Sequence, residues 1–518
     1  MKKGMSVLRP LWLGLIGLAL AGPTIVDGDQ SDPGIGKYAT RDAKSKGLQF
    51  SQTTPVAAEV LGSLVGDHFS NGRLFAEWPP TIDVRNKTTR TLDGRTIERY
   101  VHGAREQWGY GTNANSEWGY PEGEETGPKQ QNHNSFYVVA PKVLRKEGPL
   151  CVVLHSANRT AYDYLGFACL GRKTEAADDP PTAMTNPPDD VYALYLNSMN
   201  AEWWGWSQVR QSVNYAKHFN APAPAELRVL DTIEWVVTHY KIDRNRIYLC
   251  GVSMGGCGAL GIGMPHGDIF AAVRVTVPAG TGYAAYRMGG FASSPAVDAP
   301  QTERDAWIKQ AAGVGLPDPP IVVDFSSQSD VWATTQPALV QAAQAGHLPL
   351  VLSWGTFGHA TFASLIAKQP VCEVALAYPW LEVRKNEAYP VFTHASSDQR
   401  APWLNAPADY DDSGQINAYF RWKCLQDSTS DLAFQLWIAH PAIKGSLLRM
   451  PNDAVADVTP RRAQQFRVRP RSIYSWKLTR AGKVLESGQM TPDAANLLTI
   501  PRVNLSSEPV ELRINADG

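Results

Sequence analysis

One stretch constrains this chain more than any other: Arg246-Ile-Tyr-Leu-Cys-Gly-Val-Ser-Met-Gly-Gly-Cys-Gly258. An apolar run, Ile247 to Cys250, enters a glycine-punctuated turn and leaves through small residues that open a helix. A serine in Gly-x-Ser-x-Gly between a strand and a helix sits on a strained turn, with its hydroxyl clear of the sheet. Gly251 and Gly255 leave room for the backbone to pack tightly around Ser253. Upstream, Leu227, Leu230, Ile233, Val237 and Tyr240 fall at helical spacing, and Lys241-Ile-Asp-Arg-Asn245 turns the chain into the strand.

The neighbouring sequence alternates in the same way. Leu150-Cys-Val-Val-Leu154 is almost wholly apolar, as expected of a strand whose two faces are both covered by helices. Further apolar runs lie at 191–196, 271–277, 320–325 and 349–354, and a helical run, Thr334 to Ala345, precedes the last. Two short runs around Asp93-Gly94 read as a hairpin, and Ser135 to Pro141 as another strand. These patterns predict an α/β fold built on a doubly wound, mostly parallel sheet. From residue 372 the pattern changes to short alternating runs at 433–438, 465–468, 473–478, 497–500 and 509–514, separated by Gly, Pro and Asp. That spacing predicts a small C-terminal β-sandwich-like module.

A chain of 518 residues suggests two or three domains. We read residues 1–21 as a signal peptide, 22–71 as a linker or N-terminal arm, 72–371 as the α/β domain with an insertion at 103–134, and 372–518 as the β-rich module. Lys2, Lys3 and Arg9 flank the apolar run Leu11 to Leu20, and Ala19-Leu-Ala21 offers a small-x-small cleavage site. The expectation is export to the periplasm or the extracellular medium, with no stable membrane span after cleavage because the run is too short. A formal net charge of -1 gives no electrostatic reason to expect nucleic acid as a partner. None of the six cysteines or eleven histidines is spaced as in a zinc site, so neither metal nor other cofactor is expected.

The segment from Ile242 to Gly256, with His266-Gly-Asp-Ile-Phe-Ala-Ala272 after it, resembles the α/β-hydrolase branch that contains prolyl-oligopeptidase-type domains. Secreted esterases of the polyhydroxybutyrate-depolymerase and feruloyl or acetylxylan esterase kind belong to the same branch. The resemblance covers roughly residues 96 to 370, is most specific at the elbow, and implies a serine hydrolase without fixing a substrate.

A serine hydroxyl needs a base to take its proton, and the base needs a third group to hold its tautomer. His359 follows the last parallel strand, on the side where such sheets carry their chemistry; His155 is the next candidate, and His347 precedes its strand and falls on the opposite side. For the acid, Asp330 lies in the loop beyond the strand 320–325, whereas Asp324 lies within that strand. Position favours Asp330, and the resemblance points to the same residue. The expected oxyanion donors are the backbone N–H of Met254 and one from the loop after Leu154, either Ser156 or Ala157. This sequence reads His155-Ser156 where many relatives have His-Gly, which leaves the second donor open. Trp203, Trp204, Trp332 and Trp354 follow or adjoin the relevant strands and are candidates for binding substrate, since indole faces suit sugar rings and aryl groups.

The leading expectation is a secreted carboxylic-ester hydrolase that takes a small-molecule or polysaccharide-linked ester. A serine peptidase of prolyl-oligopeptidase type is the second, weakened by the lack of any repeat of the length a propeller blade needs. The third is a non-enzymatic exported protein that uses the hydrolase scaffold and the C-terminal module to bind carbohydrate or a surface partner.

Overall fold

The computed structural model describes residues 84–102, 135–165, 188–198, 203–204, 222–359, 374–399, 413–439 and 451–516, apart from 93, 144, 158, 162, 292–294 and 297. The expected signal peptide, the arm at 22–71 and the insertion at 103–134 lie outside the described residues.

The central sheet begins with β1 (Val84–Leu92), β2 (Arg95–His102) and β3 (Ser135–Val139), which pair antiparallel in sequence order. It continues with β4 (Gly148–Leu154), β5 (Tyr192–Leu196), β6 (Ile242–Val252), β7 (Ala272–Thr276), β8 (Ile321–Ser327) and β9 (Leu350–Gly355). The spatial order β1-β2-β3-β5-β4-β6-β7-β8-β9 crosses over once, between β5 and β4, and every pair from β5 to β9 is parallel. Antiparallel leading strands, one crossover and a parallel remainder make this the mostly parallel sheet of the α/β-hydrolase fold class.

Four further elements carry the first layer: α1 (Pro224–His239), α2 (Met254–Gly263), α3 (Gly282–Arg287) and, after α4 (Gln301–Ala311), α5 (Gln336–Gly346). Pro224 suits the first turn of α1, where its missing N–H costs nothing. Leu227, Leu230, Ile233 and Val237 of α1, Leu260 and Ile262 of α2, and Leu339 and Val340 of α5 bury themselves on one face of the sheet, against Val152, Leu249, Val275 and Leu352. The helices α1 and α3 and the turn after α2 are also joined by buried polar bonds: Glu226 of α1 accepts from Arg287 Nε and Nη2 at 2.8 Å, pairs with His266 Nε2 at 2.8 Å, and accepts from the Tyr283 hydroxyl. Burial pushes the Glu226 carboxyl up, but Arg287 and His266 outweigh it and hold the group below its usual range.

The opposite face of the sheet has a different cover. The apolar side chains of Val153, Tyr195, Cys250, Val323 and Phe325 run into one continuous core with Tyr378, Tyr389, Phe420 and Leu432, all from beyond residue 372. Helical residues, Ala161, Tyr164 and Leu165 after β4 and Val374 and Ala375, share that core, so the sequence expectation of helices on both sides of β4 holds with the β-rich module added to the cover. An apolar strand reports only that both its faces are covered, not by what.

The C-terminal region forms two antiparallel sheets. β10 (Tyr389–Thr393) heads a three-stranded one, and β11 (Gly414–Ile416) returns to the main sheet as its tenth strand, antiparallel to β9. Then come β12 (Phe420–Asp427), β13 (Asp431–Ile438), β14 (Asp453–Arg461), β15 (Tyr474–Arg480), β16 (Lys483–Met490), β17 (Ile500–Ser506) and β18 (Val510–Ala516). The small sheet is ordered β10-β14-β17, and the five-stranded sheet β12-β13-β18-β15-β16. Inward residues such as Phe434, Leu436, Leu512 and Ile514 alternate with outward polar ones, the pattern of a β-sandwich.

Residues 465–468, read from sequence as a strand, are not one. The backbone N–H groups of Gln464, Gln465 and Phe466 donate to the carboxylate of Asp427 at 2.5, 3.1 and 2.8 Å, so the peptide curls around that side chain rather than extending.

The module locks onto the sheet through two adjacent arginines. Arg461 Nε donates to Asp318 Oδ1 at 2.5 Å, and its Nη2 to Ala312 O at 3.0 Å; Arg462 reaches Phe270 O, Ala271 O and Pro319 O at 3.1–3.3 Å. Both are buried, and their partners other than Ala312 lie just before β7 and β8. Tyr389 adds a hydroxyl to Pro319 O at 2.5 Å.

Candidate active site

Ser253 stands between the end of β6 and the first residue of α2, with φ 57° and ψ -119°, a backbone conformation that L side chains rarely adopt. Its conformation is held from both sides: its N–H donates to Thr276 O at 3.0 Å, while its carbonyl accepts from Cys257 N at 3.0 Å and Ala279 N at 2.9 Å. A Cβ at Gly251 would lie 2.1 Å from Gly255 O, and one at Gly255 would lie 2.0 Å from Leu154 O. No side chain fits at either position, which is the physical content of the Gly-x-Ser-x-Gly spacing.

The loops after β8 and β9 bring the other two residues to this turn. Ser253 Oγ is 2.7 Å from His359 Nε2, and His359 Nδ1 is 2.7 Å from Asp330 Oδ2. Asp330 Oδ1 accepts from Trp332 N at 3.0 Å, so each carboxylate oxygen has a donor and the group is fixed as the cap of the 3-10 turn Val331–Thr335. The Asp330 carboxylate is 2% exposed and the His359 ring 34%, so the acid is shielded while the imidazole faces solvent. A base within hydrogen-bond reach of a hydroxyl, itself oriented by a buried carboxylate, is the arrangement that activates a serine.

The rejected alternatives are engaged elsewhere. His155 is buried, its Nε2 accepts from Ser198 N at 3.0 Å and its Nδ1 faces Ser156 O at 2.8 Å. His347 lies at the other edge of the sheet, 3.0 Å from Thr459 Oγ1, and burial pushes its pKa down to about 4. Asp324 is buried inside β8, accepting from Ser326 Oγ at 2.8 Å and Gln336 Nε2 at 3.1 Å, with burial raising its pKa to about 7.

Met254 is the first residue of α2, where backbone N–H groups have no partner within the helix. In the loop after β4, the N–H of Ser156 donates to Tyr164 Oη at 3.2 Å. Burial raises Tyr164 to about 12, so it is a neutral phenol at working pH. Use of Ser156 as an oxyanion donor therefore requires that bond to give way, and Ala157 is under no such condition from Tyr164.

Two of the four tryptophans leave the candidate list. Trp203 is fully buried, packs against Gly258 of α2, and donates from Nε1 to His155 O at 2.9 Å. Trp354 is buried in β9 with its indole against Gly414 of β11. Both fill space beneath the site, and neither offers a face to a ligand. Trp204 is half-buried beside Tyr283, and Trp332 is 47% exposed next to Asp330. Sequence reasoning missed Ser329, whose hydroxyl joins the acid loop to the histidine loop; no sequence pattern marks it. Among the described residues no group of three or more His, Cys, Asp or Glu could hold a metal ion, and no helix is long and apolar enough to cross a membrane.

No protein-family model and no curated protein matches this sequence. Among solved structures the chain is similar to fluorophosphonate-binding serine hydrolase F of Staphylococcus aureus, at 11% identity over 47% of this chain and 92% of that one, with a TM-score of 0.31. It is similar to an S-formylglutathione hydrolase from Agrobacterium tumefaciens at 12% identity over 53% of this chain and 93% of that one, TM-score 0.30. An acetyl xylan esterase from Aspergillus awamori aligns at 12% identity over 41% of this chain and 74% of that one, TM-score 0.28. Overlaps this loose carry no conclusion about the reaction, and the strand order and the turn at Ser253 stand on their own.

Proposed function

We propose that the protein is a serine hydrolase that cleaves carboxylic esters through an acyl-enzyme. The observation that carries this reading is the unbroken line of two 2.7 Å contacts from Ser253 Oγ through His359 to Asp330. His359 Nε2 takes the serine proton as Oγ attacks the ester carbonyl, and Asp330 holds the Nδ1–H tautomer and stabilises the imidazolium. Negative charge on the tetrahedral oxygen falls to the N–H of Met254 and to Ala157 or Ser156, each such donor being worth about 3 kcal/mol in the transition state. His359 then returns the proton to the leaving alcohol, and water deprotonated by the same nitrogen releases the acid.

Trp332, exposed beside Asp330, and the half-buried Trp204 are the tryptophans assigned in this reading to a small-molecule or polysaccharide-linked ester. The test is labelling by a fluorophosphonate probe and turnover of p-nitrophenyl short-chain esters, wild type against Ser253→Ala. Equal activity in the two overturns the proposal, and faster turnover of peptide p-nitroanilides than of esters replaces it with a peptidase. Export through removal of residues 1–21 is part of the same proposal, checked by sequencing the N-terminus of the mature protein.

A further inference from the structure

Asp330 and His359 reside on separate loops, and their mutual hydrogen bond alone does not fix how those loops face each other. The acid loop leaves β8 at Ser327, the histidine loop leaves β9 at Gly355, and these two residues are register partners on adjacent parallel strands. Beyond that point one more backbone bond, from Gln328 N–H to Gly355 O at 3.1 Å, ends the ladder. Three side-chain hydrogen bonds take over. Gly358 N–H donates to Ser329 Oγ at 3.0 Å, Ser329 Oγ is 3.1 Å from Ser327 Oγ, and the Ser327 hydroxyl donates to Gly355 O at 2.9 Å.

The donors run in one direction. With the Ser327 proton committed to Gly355 O, the bond between the two hydroxyls is donated by Ser329, whose remaining lone pairs receive Gly358 N–H. Each hydroxyl gives one bond and accepts one, so the chain is complete from one loop to the other. Its end point matters: Gly358 has φ +60°, a left-handed conformation that glycine adopts most readily, and it immediately precedes His359. The orientation of that peptide sets the direction in which the imidazole leaves the backbone.

We propose that Ser329 is a positioning residue, which couples the loop of Asp330 to the loop of His359 and thereby sets the geometry of the reacting hydroxyl. This rests on the proposed role of Ser253, His359 and Asp330. The hydrogen bonds of the Ser329 hydroxyl run to Ser327 and Gly358, not to Ser253. The residue is exposed, and Ser329→Ala leaves Gly358 N–H free to bond water, so the folded state loses little. What changes is the freedom of the histidine loop, and misplacement of a reacting group by about 1 Å costs on the order of 100-fold in rate.

The experiment is a double-mutant cycle on the full chain, with kcat and KM measured separately for a p-nitrophenyl ester. Ser329→Ala is expected to lower kcat about 10- to 100-fold, with KM and Tm close to wild type. Ser329→Thr, which keeps the hydroxyl, restores most of kcat. In an Asp330→Asn background, Ser329→Ala is expected to change kcat by less than about threefold, because the contact it serves is already gone. Unchanged kcat in Ser329→Ala, failure of threonine to restore it, or equal losses in both backgrounds overturns the proposal.

Absence of ester turnover in wild type is a failure of the proposed reaction rather than of the coupling. The same variants are then compared by proton NMR of the His359 Nδ1–H, which needs no substrate. Its low-field signal is expected to survive in Ser329→Thr and to broaden or vanish in Ser329→Ala, and persistence in the alanine variant overturns the coupling.

Discussion

The two edges of the central sheet are built on opposite plans. At the carboxyl edge, Ser253, Asp330 and His359 stand on turns, with a positive φ at the serine and an imidazole open to solvent. At the amino edge, Arg461 and Arg462 bury their guanidinium groups among carbonyls and the Asp318 carboxylate, and Tyr389 closes over Pro319. One edge holds a few groups in a strained, accessible arrangement, and the other closes the backbone that feeds the strands. The difference teaches that the C-terminal module belongs to the stability of the sheet, and that its arginine contacts sit at the edge away from the candidate chemistry.

Substitutions should separate the edges. Ser253→Ala is expected to lower kcat/KM by about a million-fold, with urea midpoint and cooperativity unchanged. Asp330→Asn, which leaves the shape but reverses a donor and an acceptor, should lower kcat by about 10,000-fold in the same assay. Arg462→Ala should do the reverse: it abandons buried carbonyls of Phe270, Ala271 and Pro319 and should cost about 3 kcal/mol in urea unfolding, with kcat of the folded fraction within about threefold of wild type. A large kcat loss there at full stability would break the comparison.

Titration sharpens it further, because buried groups at the two edges respond to pH with opposite signs. Asp324, beneath the acid loop, has its pKa raised by burial from 3.8 to about 7. The folded state therefore holds a proton that the unfolded chain has released, and stability falls as pH rises from about 4 to 7. Asp324→Asn, neutral throughout, should remove that fall, by about 1.4 kcal/mol per pH unit at most, in unfolding measured across the window. His347, at the amino edge, has its pKa pushed down by burial from 6.5 to about 4. There the unfolded chain takes the proton first, so stability is lost as pH falls from 6.5 towards 4. His347→Asn, in a residue type that tolerates the observed φ of 49°, should flatten that loss, the smallest of these effects because the ring is only partly shielded.

Much of this was legible beforehand, and the exceptions have physical causes. Buried parallel strands are continuous apolar runs, so β4 to β9 could be read directly, and the turn at Ser253 announces itself by the glycines that steric contact demands. Asp330 and His359 followed from the rule that chemistry gathers beyond the carboxyl ends of such strands. The C-terminal strands were harder. β13, β15 and β18 face the sandwich core and alternate clearly, whereas β16 is mostly exposed and β14 buries small residues such as Ala454 and Ala456, so neither advertises a period. The tryptophans failed for a different reason: Trp354 is buried because Gly414, sixty residues later, leaves room for its ring, a partnership no local pattern records.

The return of β11 to the main sheet changes where this molecule can be divided. Gly414 to Ile416 pair with Leu352 to Trp354, so the strand that precedes the histidine loop is flanked on both sides only when the chain beyond residue 372 is present. A gene cut at the change of sequence character would bare a hydrophobic border with unpaired amides, the kind of border on which chains stack into aggregates.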